Sequence, residues 1–278
     1  MTQHAVDPSQ RPLLMGVVNV TPDSFSDGGR FMEEGAAVAH ACRLIAEGAD
    51  ILDIGGESTR PGAEPVDAEE EAARVVPVIA ALRQQSAVAI SVDTLKPSVA
   101  RAAVRAGATI WNDVTALEGA PDSLAVAAEL ACGVVLMHMQ GEPRTMQDQP
   151  HYEDVAAEVR DYLAGRAETA LAAGVARERI WLDPGVGFGK RLEHNLALLA
   201  ELETIVALGF PVVLGVSRKR FIQAIDAAAT QPRDRLGGSL AAALAGADKG
   251  AAVLRVHDVR QTAQALAVRR AILQSAAR

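Results

Sequence analysis

Two acidic residues and one amide each stand at the end of a short apolar run. Asp93 ends VAISVD, Asn112 lies near the end of ATIWND, and Asp183 ends IWLD. A carboxylate only accepts hydrogen bonds, whereas an amide both donates and accepts. This set therefore suits the donor-rich edge of a flat polar heterocycle.

A glycosidase offers a second interpretation of the same residues, with Asp93 and Asp183 as its acid/base pair. Such a site would also need a platform of aromatic residues for the sugar. The sequence has only 2 Trp, 2 Tyr and 5 Phe. We therefore favour the heterocycle.

Two glycine-containing loops follow the first and second apolar runs. The segment 19–31, NVTPDSFSDGGRF, could be a solvated loop that caps the next helix, but Phe25 is not needed for a cap. The segment 55–66, GGESTRPGAEPV, places Thr59 and Arg60 beside glycines that let a ligand approach the backbone closely. A hydroxyl next to a guanidinium predicts anion binding, and an arginine on a surface turn is the alternative.

The segment 183–191, DPGVGFGKR, looks like a phosphate loop but fails its spacing rules. It matches neither G-x-x-x-x-G-K-[ST] nor G-x-G-x-x-G, because Lys190 occupies the third glycine position. What remains is Asp183 with Phe188 held among glycines beside it. This pairing suits a heterocycle that is recognised at its edge and packed on its face.

Basic residues follow the last two apolar runs, in GVSRKRF (215–221) and RVHDV (255–259). Arg255 and His257 alternate along a strand end, so both can face the same side. A lone histidine is more often structural, but the nearby arginine favours a phosphate-binding role. No His/Cys set has the spacing of zinc ligands, so any metal should be a hard ion held mainly by oxygen.

Eight βα pairs position these residues. The strands are predicted to end near Asn19, Ile54, Asp93, Asn112, His138, Asp183, Leu214 and Arg255. One amphipathic helix follows each strand, over 34–48, 67–85, 97–107, 121–131, 152–174, 192–209, 234–249 and 258–276. This alternation predicts an α/β fold, a single (β/α)8 TIM barrel over residues 1–278 with a flexible tail at 1–11. The site should lie at the C-terminal mouth of the barrel.

Composition excludes several classes of function. The net charge is −8 and there is no Lys/Arg-rich block, so nucleic acid is not expected as a partner. The two cysteines resemble packing thiols rather than a disulfide framework. No signal peptide or membrane span is recognisable, so we expect a cytoplasmic protein.

Together these motifs resemble the dihydropteroate synthase family of folate biosynthesis. The matching pieces run in order from residue 15 to residue 259: MGVVNVTPDSFSDGG, DIGGESTRPGA, SVDT, WNDV, MHMQGEPRTMQ, LDPGVGFGK, GVSRKRF and RVHDV. The resemblance implies that (7,8-dihydropterin-6-yl)methyl diphosphate condenses with 4-aminobenzoate, with Mg²⁺ assisting. The products would be 7,8-dihydropteroate and diphosphate, and sulfonamides would compete with 4-aminobenzoate.

The resemblance also assigns roles to individual residues. Asp93, Asn112, Asp183 and Lys219 would hold the pterin, with Arg255 stacked on its face and reaching phosphate. Asn19, Thr59, Arg60 and His257 would contact the diphosphate and the metal, with Asn19 as the metal ligand. Phe25, Pro61, Phe188, Lys219 and the start of the next helix would form the 4-aminobenzoate site. The catalytic residues would be Asp93, Asp183, Lys219, Arg255 and His257.

The chain departs from the family pattern at one position, and two alternative functions stay open. Many members have Ser after the Lys of SRK, where this chain has Arg220, which leaves the contact to the aminobenzoate carboxylate open.

A methyltetrahydrofolate-binding methyltransferase domain is one alternative function. It would share the pterin-binding residues but has no use for the two anion-binding loops. A non-catalytic, synthase-like partner protein would be expected to lose loop residues that are present here. The resemblance further implies a homodimer formed through helices late in the barrel.

Overall fold

The structure is a computed structural model that describes residues 11–21, 29–58, 64–141 and 145–276, with the backbone alone for 29–33 and 276. Its strands are β1 (Leu13–Asn19), β2 (Ile51–Gly55), β3 (Ala89–Asp93), β4 (Ile110–Asp113), β5 (Gly133–Met137), β6 (Ile180–Asp183), β7 (Val213–Gly215) and β8 (Val253–Val256). Its α-helices are α1 (Gly29–Ala46), α2 (Ala68–Gln85), α3 (Pro97–Ala106), α4 (Ser123–Leu130), α5 (Val155–Ala172), α6 (Leu192–Ala200), α7 (Glu203–Val206), α8 (Arg220–Ile225), α9 (Leu236–Asp248) and α10 (Val259–Ala276).

All eight strands lie in one parallel sheet that curves into a barrel. The order is β6-β5-β4-β3-β2-β1-β8-β7, and a parallel bridge between Leu182 and Val212 joins the two ends. The predicted (β/α)8 barrel is confirmed. A parallel sheet must be covered on both faces, which explains why its strands are continuous apolar runs.

The barrel core has two apolar layers. Inside the barrel, one cluster consists of Met15, Ile51, Ile110, Val135, Val213 and Val253. Outside, residues such as Leu14, Leu52 and Ile90 are fully buried in the layer between strands and helices. Burying one such side chain contributes about 1.5–3 kcal/mol.

The helices after β6 and β7 differ from the prediction. The predicted helix 192–209 is divided into α6 and α7 at Glu201, whose φ of −111° and ψ of 22° leave the helical region, and the hydroxyl and amide of Thr204 both donate to its carbonyl, at 2.8 and 3.0 Å. The short helix α8 was not predicted, since its six residues are too few for periodicity to reveal. Most of the predicted tail at 1–11 lies outside the described residues, and Arg11 pairs with Asp50 at 2.6 Å.

Strand register brings the polar strand ends to one rim. Asp93 is the Cα partner of Gly55 on one side and of Asn112 on the other. Met137 is the partner of Asp183, and Gly215 is the partner of Arg255. Because parallel strands share one direction, all these residues meet at the C-terminal mouth.

None of the described helices is long and apolar enough to cross a membrane.

Candidate active site

Arg255 lies between two carboxylates at the mouth of the barrel. Its Nε donates to Oδ2 of Asp53 at 2.6 Å, and its Nη2 donates to Oδ2 of Asp93 at 2.7 Å. The amide of Asn112 donates to the same oxygen of Asp53 at 3.3 Å. Residues from four strands, β2, β3, β4 and β8, are therefore joined in one network.

Sequence reasoning did not assign Asp53 a role. Its side chain is fully buried, and Oδ1 has no hydrogen-bond partner among the described residues. Its Cα partner is Ser91, two residues before Asp93, so Asp53 and Asp93 face the same side. That inward position in ILDIG is the signal that could have revealed it.

Burial and charge act in opposite directions on this network. Burial raises the pKa of Asp93 to about 7, and Asp53 also raises it, while Arg255 lowers it. For Arg255, burial lowers the pKa, but Asp53 and Asp93 outweigh this and raise it above its usual value. The guanidinium is therefore permanently charged, and the carboxylates balance that charge.

Asp183 and Lys219 form the other side of the mouth. Asp183 is buried, and its Oδ1 accepts a hydrogen bond from the Gly185 amide at 2.7 Å. Burial raises its pKa, although Lys219 opposes the shift. Burial lowers the pKa of Lys219 to about 8, with Asp183 opposing. Lys219 is therefore an ammonium at neutral pH.

Phe188 completes this side of the site. Nζ of Lys219 lies 4.6 Å from the centre of the Phe188 ring and donates to the carbonyl of Val186. A cation over an aromatic face is attracted by the ring. The loops after β6 and β7 are thus held together at the point where an aromatic ligand could stack.

A basic cleft opens beside β1 and β8. Its volume is about 540 Å³, and its described lining is Val17, Asn19, Ala36, Ala39, His40, Arg43, Arg218 and His257. His257 Nδ1 and Ser217 Oγ are joined by a hydrogen bond of 3.0 Å. Arg218 pairs with Asp258 through hydrogen bonds of 2.9 and 2.5 Å. The positive charge and the half-buried Asn19 amide suit an anion with an associated cation.

The ends of the predicted anion loop after β2 are tied to the barrel. Glu57 accepts a hydrogen bond from the Val66 amide at 3.0 Å, across the eight residues between them. Lys96 donates to Glu57 at 2.5 Å and to the buried Glu71 at 2.6 Å. These contacts tie the ends of the loop to Lys96, three residues after the end of β3.

The structure brings together most of the residues that the sequence singled out. Asp93, Asn112 and Arg255 share one network, and Asp183, Phe188 and Lys219 form the facing side. Asn19 and His257 line the basic cleft. Four predicted residues lie outside the described part of the chain, namely Phe25, Thr59, Arg60 and Pro61.

Among the described residues, no three His, Cys, Asp or Glu side chains are grouped so that they could hold a metal ion. The cleft instead offers the amide oxygen of Asn19. Mg²⁺ keeps several waters and commonly binds through few protein oxygens plus substrate phosphates. The residues present therefore fit an ion that arrives with a phosphorylated substrate.

The model of a family described as "Pterin binding enzyme" matches residues 15–257. Dihydropteroate synthase of Escherichia coli K12 is 49% identical over 265 residues, which cover 95% of this chain and 93% of the relative. The chain belongs to the dihydropteroate synthase family. Its membership, its transferase activity and its place in folate biosynthesis are confirmed as predicted.

Solved structures of family members agree with this fold. Xanthomonas albilineans dihydropteroate synthase with 4-aminobenzoic acid has a TM-score of 0.89 and 52% identity, covering 95% of this chain and 94% of that one. The Yersinia pestis synthase with a sulfonamide drug complex has a TM-score of 0.90 and 43% identity, covering 99% of both chains. The synthase is therefore favoured over the methyltransferase domain and the non-catalytic partner protein.

Proposed function

We propose that the mouth of this barrel condenses (7,8-dihydropterin-6-yl)methyl diphosphate with 4-aminobenzoate, giving 7,8-dihydropteroate and diphosphate. The observation that carries the proposal is the Asp93, Asn112 and Arg255 network facing Asp183, Lys219 and Phe188. It combines acceptors for a heterocycle edge with cations for phosphate and a face for an aromatic ring. Membership of the dihydropteroate synthase family indicates which reaction these groups would catalyse.

Asp93, Asn112 and Asp183 bind the pterin ring in this proposal. Asp183 is held by the Gly185 amide, which leaves its other oxygen for the ring. Carboxylates also favour positive charge on the pterin as the bond to the leaving group breaks. Lys219 contributes a donor that faces these acceptors.

Arg255, His257 and Asn19 receive the diphosphate, together with Thr59 and Arg60. The C–O bond between the pterin methylene and the diphosphate breaks, and its electron pair leaves on the diphosphate oxygen. The aniline nitrogen of 4-aminobenzoate then bonds to the methylene carbon and loses a proton. Cations around the leaving oxygens stabilise the charge that develops there, so the protein needs no nucleophile.

Mg²⁺ is proposed as the cofactor, with Asn19 as its protein ligand. When bound, it would neutralise diphosphate charge as the leaving group departs. The basic residues of the cleft and the single amide oxygen support an ion that is held largely by the substrate.

The 4-aminobenzoate site is proposed at Phe188 and Lys219, with Phe25 and Pro61 and the start of α8 around it. The aromatic ring would stack near Phe188, and the Lys219 ammonium would attract the carboxylate. The 4-aminobenzoic acid and sulfonamide complexes of the two relatives support a common site in which sulfonamides compete. Arg220 is exposed at the start of α8, where it could reach a carboxylate.

Assembly, compartment and domain organisation are also proposals. Helices α9 and α10 present a largely apolar groove, in which Val268 and Ile272 are 56% and 62% exposed, and this supports a homodimer through these late helices. The free thiols of Cys42 and Cys132 support a reducing cytoplasm. The described elements belong to one barrel, which supports one domain over 1–278.

Diphosphate release tests the proposed reaction. The purified protein is incubated with the pterin diphosphate, with and without 4-aminobenzoate and Mg²⁺. Rapid release together with dihydropteroate is expected only when all are present. Absence of dihydropteroate under every condition would overturn the proposal.

A further inference from the structure

Five consecutive backbone carbonyls in the loop after β6 accept hydrogen bonds from side chains. We call residues 185–189 the carbonyl segment. Lys190 donates to the carbonyls of Gly185 and Phe188, both at 3.0 Å, and Lys219 donates to that of Val186. Gln147 donates to the carbonyl of Gly187 at 2.7 Å, and Tyr152 donates to that of Gly189 at 2.8 Å. The Gly185 carbonyl also accepts from the Phe188 amide, at 3.0 Å, but a loop lacks the regular partners of a helix or strand, so side chains supply most of the donors.

Lys190 is the central donor of this arrangement. Its residue is only 3% exposed, and its Nζ also lies 2.8 Å from Nδ1 of the buried His138 at the end of β5. An ammonium can donate to all three acceptors, and a neutral amine has two N–H groups for the two carbonyls and a lone pair that accepts from the Nδ1–H tautomer of His138. Lys190 therefore links the carbonyl segment to β5 in either protonation state.

Two glycines bring the segment into direct contact with the chain that follows β5. Gly185 and Gly189 have φ of +66° and +60°, in the left-handed region that favours glycine. A Cβ at these positions would overlap the carbonyl oxygens of His138 and Gln140. The backbone of the segment thus lies directly against the chain after β5, and the hydrogen bonds hold it in that position.

Residues proposed to touch the substrates are attached to this segment. Phe188 belongs to it, Lys219 donates to Val186, and the Gly185 amide donates to Asp183. The Gly187 amide also donates to Oδ1 of Asn195 on α6, at 2.6 Å. A shift of the segment would therefore move the stacking ring and the ammonium together.

We propose that Lys190 is a positioning residue that fixes Phe188 and Lys219 for 4-aminobenzoate, by holding the Gly185 and Phe188 carbonyls against His138. This inference rests on the proposed roles of Phe188 and Lys219. Two of the pterin contacts, Asp93 and Asn112 on β3 and β4, lie apart from the segment, and the third, Asp183, is the last residue of β6, where strand pairing holds its backbone. Loss of Lys190 should therefore affect the two substrates unequally.

The first test compares Lys190→Met with Lys249→Met. Methionine keeps the length of the side chain but removes its donors, and Lys249 pairs with Glu203 at the surface at 3.3 Å. Lys190→Met should raise KM for 4-aminobenzoate about tenfold or more, with less than a threefold change in KM for the pterin diphosphate. Lys249→Met should change neither constant.

Two more conservative substitutions, each of which removes one hydroxyl, test the inference if Lys190→Met does not fold. Tyr152→Phe removes only the hydroxyl that donates to Gly189. Tyr162→Phe removes a hydroxyl that donates to Glu118 at 2.7 Å, although Tyr162 also packs against His138. We expect Tyr152→Phe to raise KM for 4-aminobenzoate by about threefold and Tyr162→Phe to leave it unchanged.

Amide hydrogen exchange gives a readout that does not require activity. Exchange over 184–191 should accelerate in Lys190→Met and Tyr152→Phe and stay unchanged in Lys249→Met and Tyr162→Phe. Unchanged exchange and unchanged KM in both segment variants would overturn the positioning role. So would equal rises in KM for both substrates.

Phe188→Ala separates this inference from the proposed function. If Phe188→Ala leaves KM for 4-aminobenzoate unchanged, the proposed aminobenzoate site is wrong. If Phe188→Ala raises that KM while Lys190→Met leaves it unchanged, the site stands and the positioning role of Lys190 is overturned.

Discussion

Arg255 and Asp93 are 162 positions apart in the chain, yet Nη2 of the arginine donates to Oδ2 of the aspartate at 2.7 Å. The same guanidinium binds Asp53, 202 positions away. Arg255 therefore faces the mouth in an orientation that β2 and β3 impose. A cation proposed to meet both the pterin and its diphosphate is thus held by the protein's own carboxylates, and this lowers the cost of ordering it during the reaction.

Asp53→Asn tests this arrangement. Removing one charge of a buried pair leaves the other poorly compensated, so the free energy of unfolding should fall by about 3 kcal/mol, with a loss of turnover. Urea unfolding and steady-state kinetics measure the two effects. Asp161→Asn is the matched control, because Asp161 pairs with Arg160 at the surface, where such pairs contribute about 0–1 kcal/mol. Equal stability losses in the two variants would contradict the prediction.

Asp183→Asn should mainly weaken pterin binding. The amide sets a donor against the donor edge of the ring and loses a charged acceptor. A hydrogen bond of this kind contributes roughly 1.5–3 kcal/mol, or about 10–150-fold in affinity. Calorimetric titration with a pterin analogue measures the change, and Asp161→Asn at the surface serves as the control. An unchanged affinity would remove Asp183 from the pterin site.

Binding of 4-aminobenzoate should weaken above pH 8. The pKa of Lys219 is lowered to about 8, so the ammonium that attracts the carboxylate is present below this pH and is lost above it. Once the lysine is neutral, affinity should fall by up to tenfold per pH unit. Titrations from pH 7 to pH 9.5 measure the decline. Lys219→Arg stays charged over that range, and a decline of the same size in this variant would assign it to another group.

Diphosphate and Mg²⁺ should tighten binding of 4-aminobenzoate. If the anion site and the aminobenzoate site are coupled, each ligand increases the affinity of the other by the same factor. The coupling free energy is typically about 1–3 kcal/mol, which corresponds to about 5–150-fold in affinity. Arg60→Ala should lose most of this coupling and keep the pterin affinity. Titrations of wild type and variant, with and without diphosphate and with Mg²⁺ removed by chelation, measure it. A wild-type affinity for 4-aminobenzoate that does not change when diphosphate is added would refute the coupling.

The sequence alone determined the barrel and the side of it that carries the site. Strand and helix patterns are local, with periods of 2 and 3.6 residues, so eight βα pairs could be counted without knowing any contact. Parallel strands then place all their C-terminal ends at one mouth, so the order of Asp93, Asn112, Asp183 and Arg255 along the chain was enough to group them.

Only the tertiary structure decided which buried polar groups belong to the site. The sequence indicates no role for Asp53 and shows Lys190 only at a glycine position of an unmatched motif, because their roles depend on distant partners: Arg255 for Asp53, and His138 for Lys190. The division of α6 from α7 at Glu201 likewise leaves no signal in the apolar periodicity of the sequence. A buried charge is stable only with its partners in place, and those partners are brought together by the closure of the barrel rather than by neighbouring residues in the chain.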